Sequence, residues 1–296
     1  MSEYHYREAH KLAEKAYKEA VSQGKSPYPM RLDEVLSSGQ ISEGKYAGLE
    51  QVPLFMVTGT KNEGRNQAFA RNFMPLLDHT SEFATKWKVL CEAHLNEGIN
   101  EPVKLYEYRN RFYVEEGNKR VSVLKFFEAD SIDAHVYRIE SAKDGSEEAL
   151  CYEAFSEFYR VSGLRTVEFS KPASYESLQR ELGKDPGERW TEDEQKDFVS
   201  LYYYYQKEIV RIGGEGGLPH VCDSLLIFIS LYGWDELRNM SPGEIRDLIK
   251  ESEDLLLPKK KTGGILQRLT GRSHEKAGPK SPMRILAVAE DRKSVG

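Results

Sequence analysis

Six residues, "EEGNKR" at 115–120, bring two carboxylates, a glycine, an amide and two cations to a point where a strand pattern gives way to a helical one. Lys119 and Arg120 would open a helix over 119–128 at the positive end of its dipole, a placement costing a few tenths of a kcal/mol, up to ~1, per charge. A bound anion reverses that sign. The N–H groups of a first turn and two cationic donors make a ready phosphate site. Gly117 permits a sharp strand-to-helix turn, and Asn118 is a good N-cap. The competing arrangement is internal: Glu115 or Glu116 pairs with Arg120 and stitches the turn.

Other chemistry-bearing residues are less concerted. Gly59 and Gly64 have P-loop spacing between a strand and a helix signal, but Arg65-Asn66 stand where Lys-Ser/Thr would reach phosphates and Mg²⁺. His220 and Cys222 lie close together with no third catalytic partner. His5 and His10 are off the i,i+4 geometry of a metal pair. "YYYY" at 202–205 divides between core and surface on a helix. Residues 223–250 have helix-turn-helix rhythm, but residues 218–257 carry eight acids against three bases, which argues against DNA contact.

Elements must hold the turn in place. Residues 3–22 read as a helix stopped by Gly24, and 32–51 as a loop-rich connection. "VPLFMV" (52–57) is a strand, and a helix is expected over Ala68–Leu77. Thr80 or Ser81 caps a helix that ends at Gly98. "PVKLYEY" and "RFYVEE", joined by Arg109-Asn110, make a hairpin. "SIDAHVYRI" alternates as a strand. Beyond Glu147 the pattern is helical, with capping boxes at Thr191/Glu194 and Ser241/Glu244. The glycines of 213–217 join two helices. Residues 258–282 form a basic Gly/Pro linker, and "MRILAVAED" looks like the first strand of a further domain.

Composition bounds the setting. With 296 residues, 39% hydrophobic and 30% charged, the chain reads as globular, and no apolar run of 18 residues exists to span a membrane. Three scattered cysteines and an N-terminus without an apolar signal core lead to an expectation of a cytoplasmic protein. The net charge of −6 is uneven: residues 258–282 carry +6 and 283–296 carry +1, leaving −13 on residues 1–257. The body is therefore not expected to bind duplex DNA, while the basic linker could meet a protein partner.

The ordered run from "VPLFMV" through "YRNRFYVEEGNKRVSVLKFFEADSIDAHVYRI", residues 52–139, resembles the ParB/sulfiredoxin fold. That family has a Gly-ended helix, a Pro-x-Val strand start, a hairpin, a Gly-x-x-Arg helix start and a closing Ile-x-Ala-x-Val strand. The resemblance implies a mixed α/β (α+β) sheet domain in which Gly117, Asn118, Lys119 and Arg120 hold phosphates of a nucleotide or nucleic acid. It implies that the loop of Lys61, Arg65 and Arg71 faces this turn and adds phosphate contacts. Sulfiredoxins place their reactive cysteine where Asn118 stands, so that chemistry is not expected. Chromosome-partitioning members place there a Glu tied to hydrolysis, followed by Arg; Asn118 and Lys119 depart from both. Glu116 is the nearest carboxylate for a metal. The phrases "GRNQAFARNFMPLL" and "EFSKPASYESLQRELGK" are similar to bacterial proteins that join this module to a basic-membrane-protein-type substrate-binding domain.

The resulting expectation is five segments: a helix and loop (1–51), the ParB/sulfiredoxin-like domain (52–140), a helical domain (141–257), the linker (258–282) and the unpartnered strand (283–296). The function expected is a nucleotide- or phosphate-binding regulatory module, with a nucleoside triphosphate and Mg²⁺ as its ligand. A nuclease or NTPase on the same fold and a structural interaction module are the alternatives.

Overall fold

The computed structural model describes residues 1–36, 43–213 and 217–257, apart from the side chains of 63–65. The expected linker, the strand beyond it and the middle of the glycine run lie outside the described residues. The chain forms two compact units, Met1–Ala149 and a second from Leu150 onward. The first is α/β and the second is helical.

In the first unit a six-stranded mixed sheet has the order β1-β3-β5-β4-β6-β2. Its strands are β1 (Met30–Arg31), β2 (Lys45–Pro53), β3 (Val57–Thr60), β4 (Val103–Tyr108), β5 (Arg111–Glu116) and β6 (Ser131–Arg138). The β4–β5 hairpin and the β6–β2 pair are antiparallel; β1–β3, β3–β5 and β4–β6 are parallel. Arg109 and Asn110 both have positive φ, 47° and 58°, as a tight two-residue hairpin turn demands.

Period-2 alternation assigns the faces. Leu105, Val114, Ala134 and Val136 point to a core shared with Val121 and Leu124. These last two belong to α4 (Asn118–Phe126), introduced after α1 (Ser2–Ser22), α2 (Leu32–Val35) and α3 (Glu82–Glu97). Tyr6, Ala9 and Ala13 recur at helical spacing on α1 and pack with Trp87 of α3. Tyr106, Tyr108 and Tyr113 occupy the other sheet face with Leu32 of α2.

Four expectations need correction. Residues 52–57 are not one strand: β2 ends at Pro53, a single 3-10 turn covers Leu54–Met56, and β3 starts at Val57. The compact unit begins at Met1 rather than at 52, because α1 packs against α3 and β2 pairs along β6 within the stretch expected to be loop. No helix forms over 68–77. Pro75 disfavours helical backbone at Met74, Phe73 takes φ 64°, and Phe69 bridges to Pro75 instead. At the turn itself Gly117 is the N-cap and Asn118 is already helical.

The second unit comprises α5 (Glu147–Ser162), which starts at the boundary, α6 (Ala173–Glu181), α7 (Glu192–Arg211), α8 (Leu218–Tyr232), α9 (Trp234–Leu237), α10 (Pro242–Glu251) and α11 (Glu253–Leu256). Both expected capping boxes are present. Phe158, Phe198, Tyr202, Tyr205 and Phe228 fill its core. Cys222 is buried there too. On α7 the buried Glu208 is shared by Arg211 (2.6 Å) and Arg246 of α10 (3.1 Å). Burial alone would raise its carboxyl, but the two guanidinium groups hold it below the usual range.

Candidate functional site

β5 delivers the chain to the turn with alternating side chains: Val114 into the core, Glu115 to the opposite face, Glu116 back and exposed. The backbone must then reverse within one residue. Gly117 does this at φ 100°, and a Cβ there would lie 2.3 Å from Cγ1 of Val103. The Val121 N–H donates to the Gly117 carbonyl at 3.0 Å, starting α4. Its N-cap is a glycine, so the capping residue supplies no side-chain acceptor to this first turn.

The turn faces a cavity of about 560 Å³. Glu116, Gly117, Asn118, Lys119 and Arg120 line one side of it. Phe83, Lys86, Val89 and Leu90 of α3 line the other, with Phe69 beside them. Lys119 places Nζ 4.7 Å from the centre of the Phe83 ring, and Lys86 pairs with Glu82 at 2.6 Å. Oδ1 of Asn118 is enclosed with no hydrogen-bond partner among the described residues. Two cations and the start of α4 thus meet an apolar wall, whereas the enclosed Asn118 Oδ1 is an acceptor and has nothing to donate to an anion.

Arg120 is used differently from either arrangement considered for it. Its guanidinium donates to the carbonyls of Glu101 and Pro102, both at 2.8 Å, and lies 3.1 Å from a Glu101 carboxylate oxygen. The side chain is only 16% exposed. It therefore ties the entry of β4 to α4. Neither neighbouring glutamate is its partner, and Glu101, far back in the sequence, gave no local signal.

Glu115 instead bridges Lys61 (3.0 Å) and Lys104 (2.7 Å). Burial would raise its carboxyl, but the two ammonium groups outweigh this and hold it low. Lys61 also sits 3.7 Å over the Tyr106 ring. Lys61 is thus committed elsewhere, and Arg71 is exposed, with its backbone N–H on the Pro27 carbonyl. Neither lines the cavity. The Arg65 side chain lies outside the described residues. Gly59 sits in β3, where a Cβ would meet the Met30 carbonyl oxygen at 2.1 Å, so its glycine serves strand packing.

The α3 wall was missed in the sequence, although Phe83, Lys86 and Leu90 recur at helical spacing. Among the described residues no three His, Cys, Asp or Glu side chains cluster as a metal site. Likewise, no described helix is long and apolar enough to cross a membrane. Compared with known proteins, the chain matches no family model and no curated protein.

Proposed function

We propose that this protein is a nucleotide- or phosphate-binding regulatory module whose ligand anion sits at the Gly117–Arg120 turn. The carrying observation is the cavity itself: it opens onto a helix start whose glycine N-cap supplies no side-chain acceptor, with Lys119 beside it. In this reading the first-turn N–H groups contact the anion, Lys119 supplies charge, and Arg120 keeps the turn in shape. The three cysteines form no disulfide with one another, which supports a reducing, cytoplasmic setting.

A second reading draws on one observation. Arg120 is engaged by Glu101 and two carbonyls, as in an internal scaffold of an interaction module.

Calorimetric titration of the whole chain with nucleotides and inorganic phosphate separates the two, using Asn118→Asp as control. An acid in the first turn suits the helix dipole by roughly 0.3–1 kcal/mol, but the enclosed position of Oδ1 opposes a charge there, so the variant's urea midpoint is measured beside its binding. It also places a negative charge where the anion belongs. Saturable binding lost in Asn118→Asp supports the proposal. No binding to the natural sequence leaves the scaffold reading.

A further inference from the structure

We infer that the outer edge of β2 is a pairing surface for a second copy of this chain, the two β2 strands running antiparallel about a two-fold axis beside Gly48. β4 and β6 separate β2 from β5, which carries the Gly117 turn, so this surface is independent of the ligand proposed above.

The two edges of the sheet are unlike. One ends in β1, which at two residues is too short to template another strand. The other ends in β2, nine residues long and, among the described residues, paired with β6 alone. Lys45, Tyr46, Ala47, Leu49 and Gln51 are all exposed along it. An open edge of this length that carries apolar side chains is a template for strand addition.

The bulge in β2 fits that edge to its own copy. Tyr46 and Leu49 are its two large exposed apolar side chains, at 57% and 60%. Regular alternation would set residues three apart on opposite faces. Here Tyr46 pairs with Tyr137 and Gly48 with Val136, so Ala47 is an extra residue, and Gly48 takes φ 133°. Leu49, opposite His135, thereby returns to the face of Tyr46. On that face the Tyr46 ring lies 5.3 Å from the Tyr137 ring, and its hydroxyl 3.1 Å from Nδ1 of His135. A two-fold axis between Ala47 and Gly48 then sets Tyr46 opposite Leu49 of the second copy, and Leu49 opposite its Tyr46. The two bulges coincide, so neither strand slips register against the other. Each copy gives the other the same aromatic–aliphatic cross-strand pair. The joined sheets end in β1 on both sides, so association closes at a dimer. A single strand pair covers less than the roughly 800 Å² per partner of a standard stable interface, so the dimer should be reversible in the micromolar range.

Sedimentation equilibrium of the full chain across that range should show monomer and dimer in exchange. Leu49→Lys puts a charge beside Tyr46 of the other copy, twice per dimer, and should weaken association by about tenfold or more. Because Leu49 is exposed, the variant's circular dichroism should match that of the natural sequence. Cross-linking reads the register. A mixture of Tyr46→Cys chains and Leu49→Cys chains, oxidised with diamide, should yield more disulfide-linked dimer than either variant alone or the natural sequence with its three cysteines. A chain that stays monomeric throughout would overturn the pairing. Dimers that Leu49→Lys leaves unweakened would overturn the edge as their interface. Single variants that cross-link as well as the mixture would overturn the register.

Discussion

At the residue scale, Gly117 is constrained twice, by a left-handed φ of 100° and by Val103 at 2.3 Å from any added Cβ. Either constraint alone penalises a side chain, and Val103 belongs to the packed sheet core and cannot withdraw cheaply. Gly117→Ala should cost about 2–3 kcal/mol in urea unfolding and distort the cavity as well. Lys125, at the other end of α4, carries a different strain. Part of its side chain reaches the surface, but its ammonium group is enclosed, donating to the Val57 carbonyl at 2.9 Å and lying 5.1 Å from the Phe73 ring centre. Burial lowers it from an ordinary 10.5 to about 8. The unfolded chain thus binds more protons than the folded one between those values, so stability rises with pH from about 8 to 10.5. Lys125→Met should raise stability at pH 7 by about 2 kcal/mol and flatten that rise. Urea midpoints across pH 7–11 measure both effects; an unchanged slope would mean that the ammonium is solvated.

At the element scale, the cavity depends on how α3 lies against α4. Their contact is fixed by a buried hydrogen bond from Trp87 Nε1 to Ser122 Oγ at 2.9 Å, and Trp87 and Ser122 are both fully buried. Ser122→Ala would leave the indole N–H without an acceptor and should cost about 1–3 kcal/mol. Thermal unfolding of Ser122→Ala beside Ser122→Thr, which keeps a hydroxyl, checks whether the bond or the space matters. The elements here were legible to different degrees for physical reasons. The α3 helix, the Arg109-Asn110 hairpin, α4 and β6 carried local patterns strong enough to read, namely a Ser cap, a two-residue turn and clean alternation. β2 did not, because an edge strand interrupted by Gly48 at φ 133° draws its order from pairing with β6, about ninety residues away. The turn at 117–120 was readable as a candidate from residue types alone. Its α3 wall and the Glu101 anchor of Arg120 arise only from tertiary contact, which sequence spacing does not encode.

At the scale of the whole molecule, the two units have separate cores: the sheet and its helices in one, α5–α11 in the other. Every residue that lines the cavity, and every partner named for it, falls between Lys61 and Leu124 or nearby within the first unit. A 149-residue unit is large enough to bury roughly 68–70% of its unfolded surface, so residues 1–149 should fold without the rest. That fragment is expected to unfold in one cooperative step, to show dispersed amide resonances, and to display the same Lys119 and Asn118 shifts on adding a binding nucleotide as the full chain. Residues 1–149 carry 24 acids against 20 bases, a charge of −4, and the full chain carries −6, so long-range repulsion of an anionic ligand is modest in both and added salt should change the affinity of the two forms alike. A fragment that remains unfolded would show that the helical unit contributes stability to the site's scaffold. A fragment that folds and binds with unchanged affinity would assign ligand capture wholly to the sheet unit and leave α5–α11 to pass on, or respond to, the occupied state.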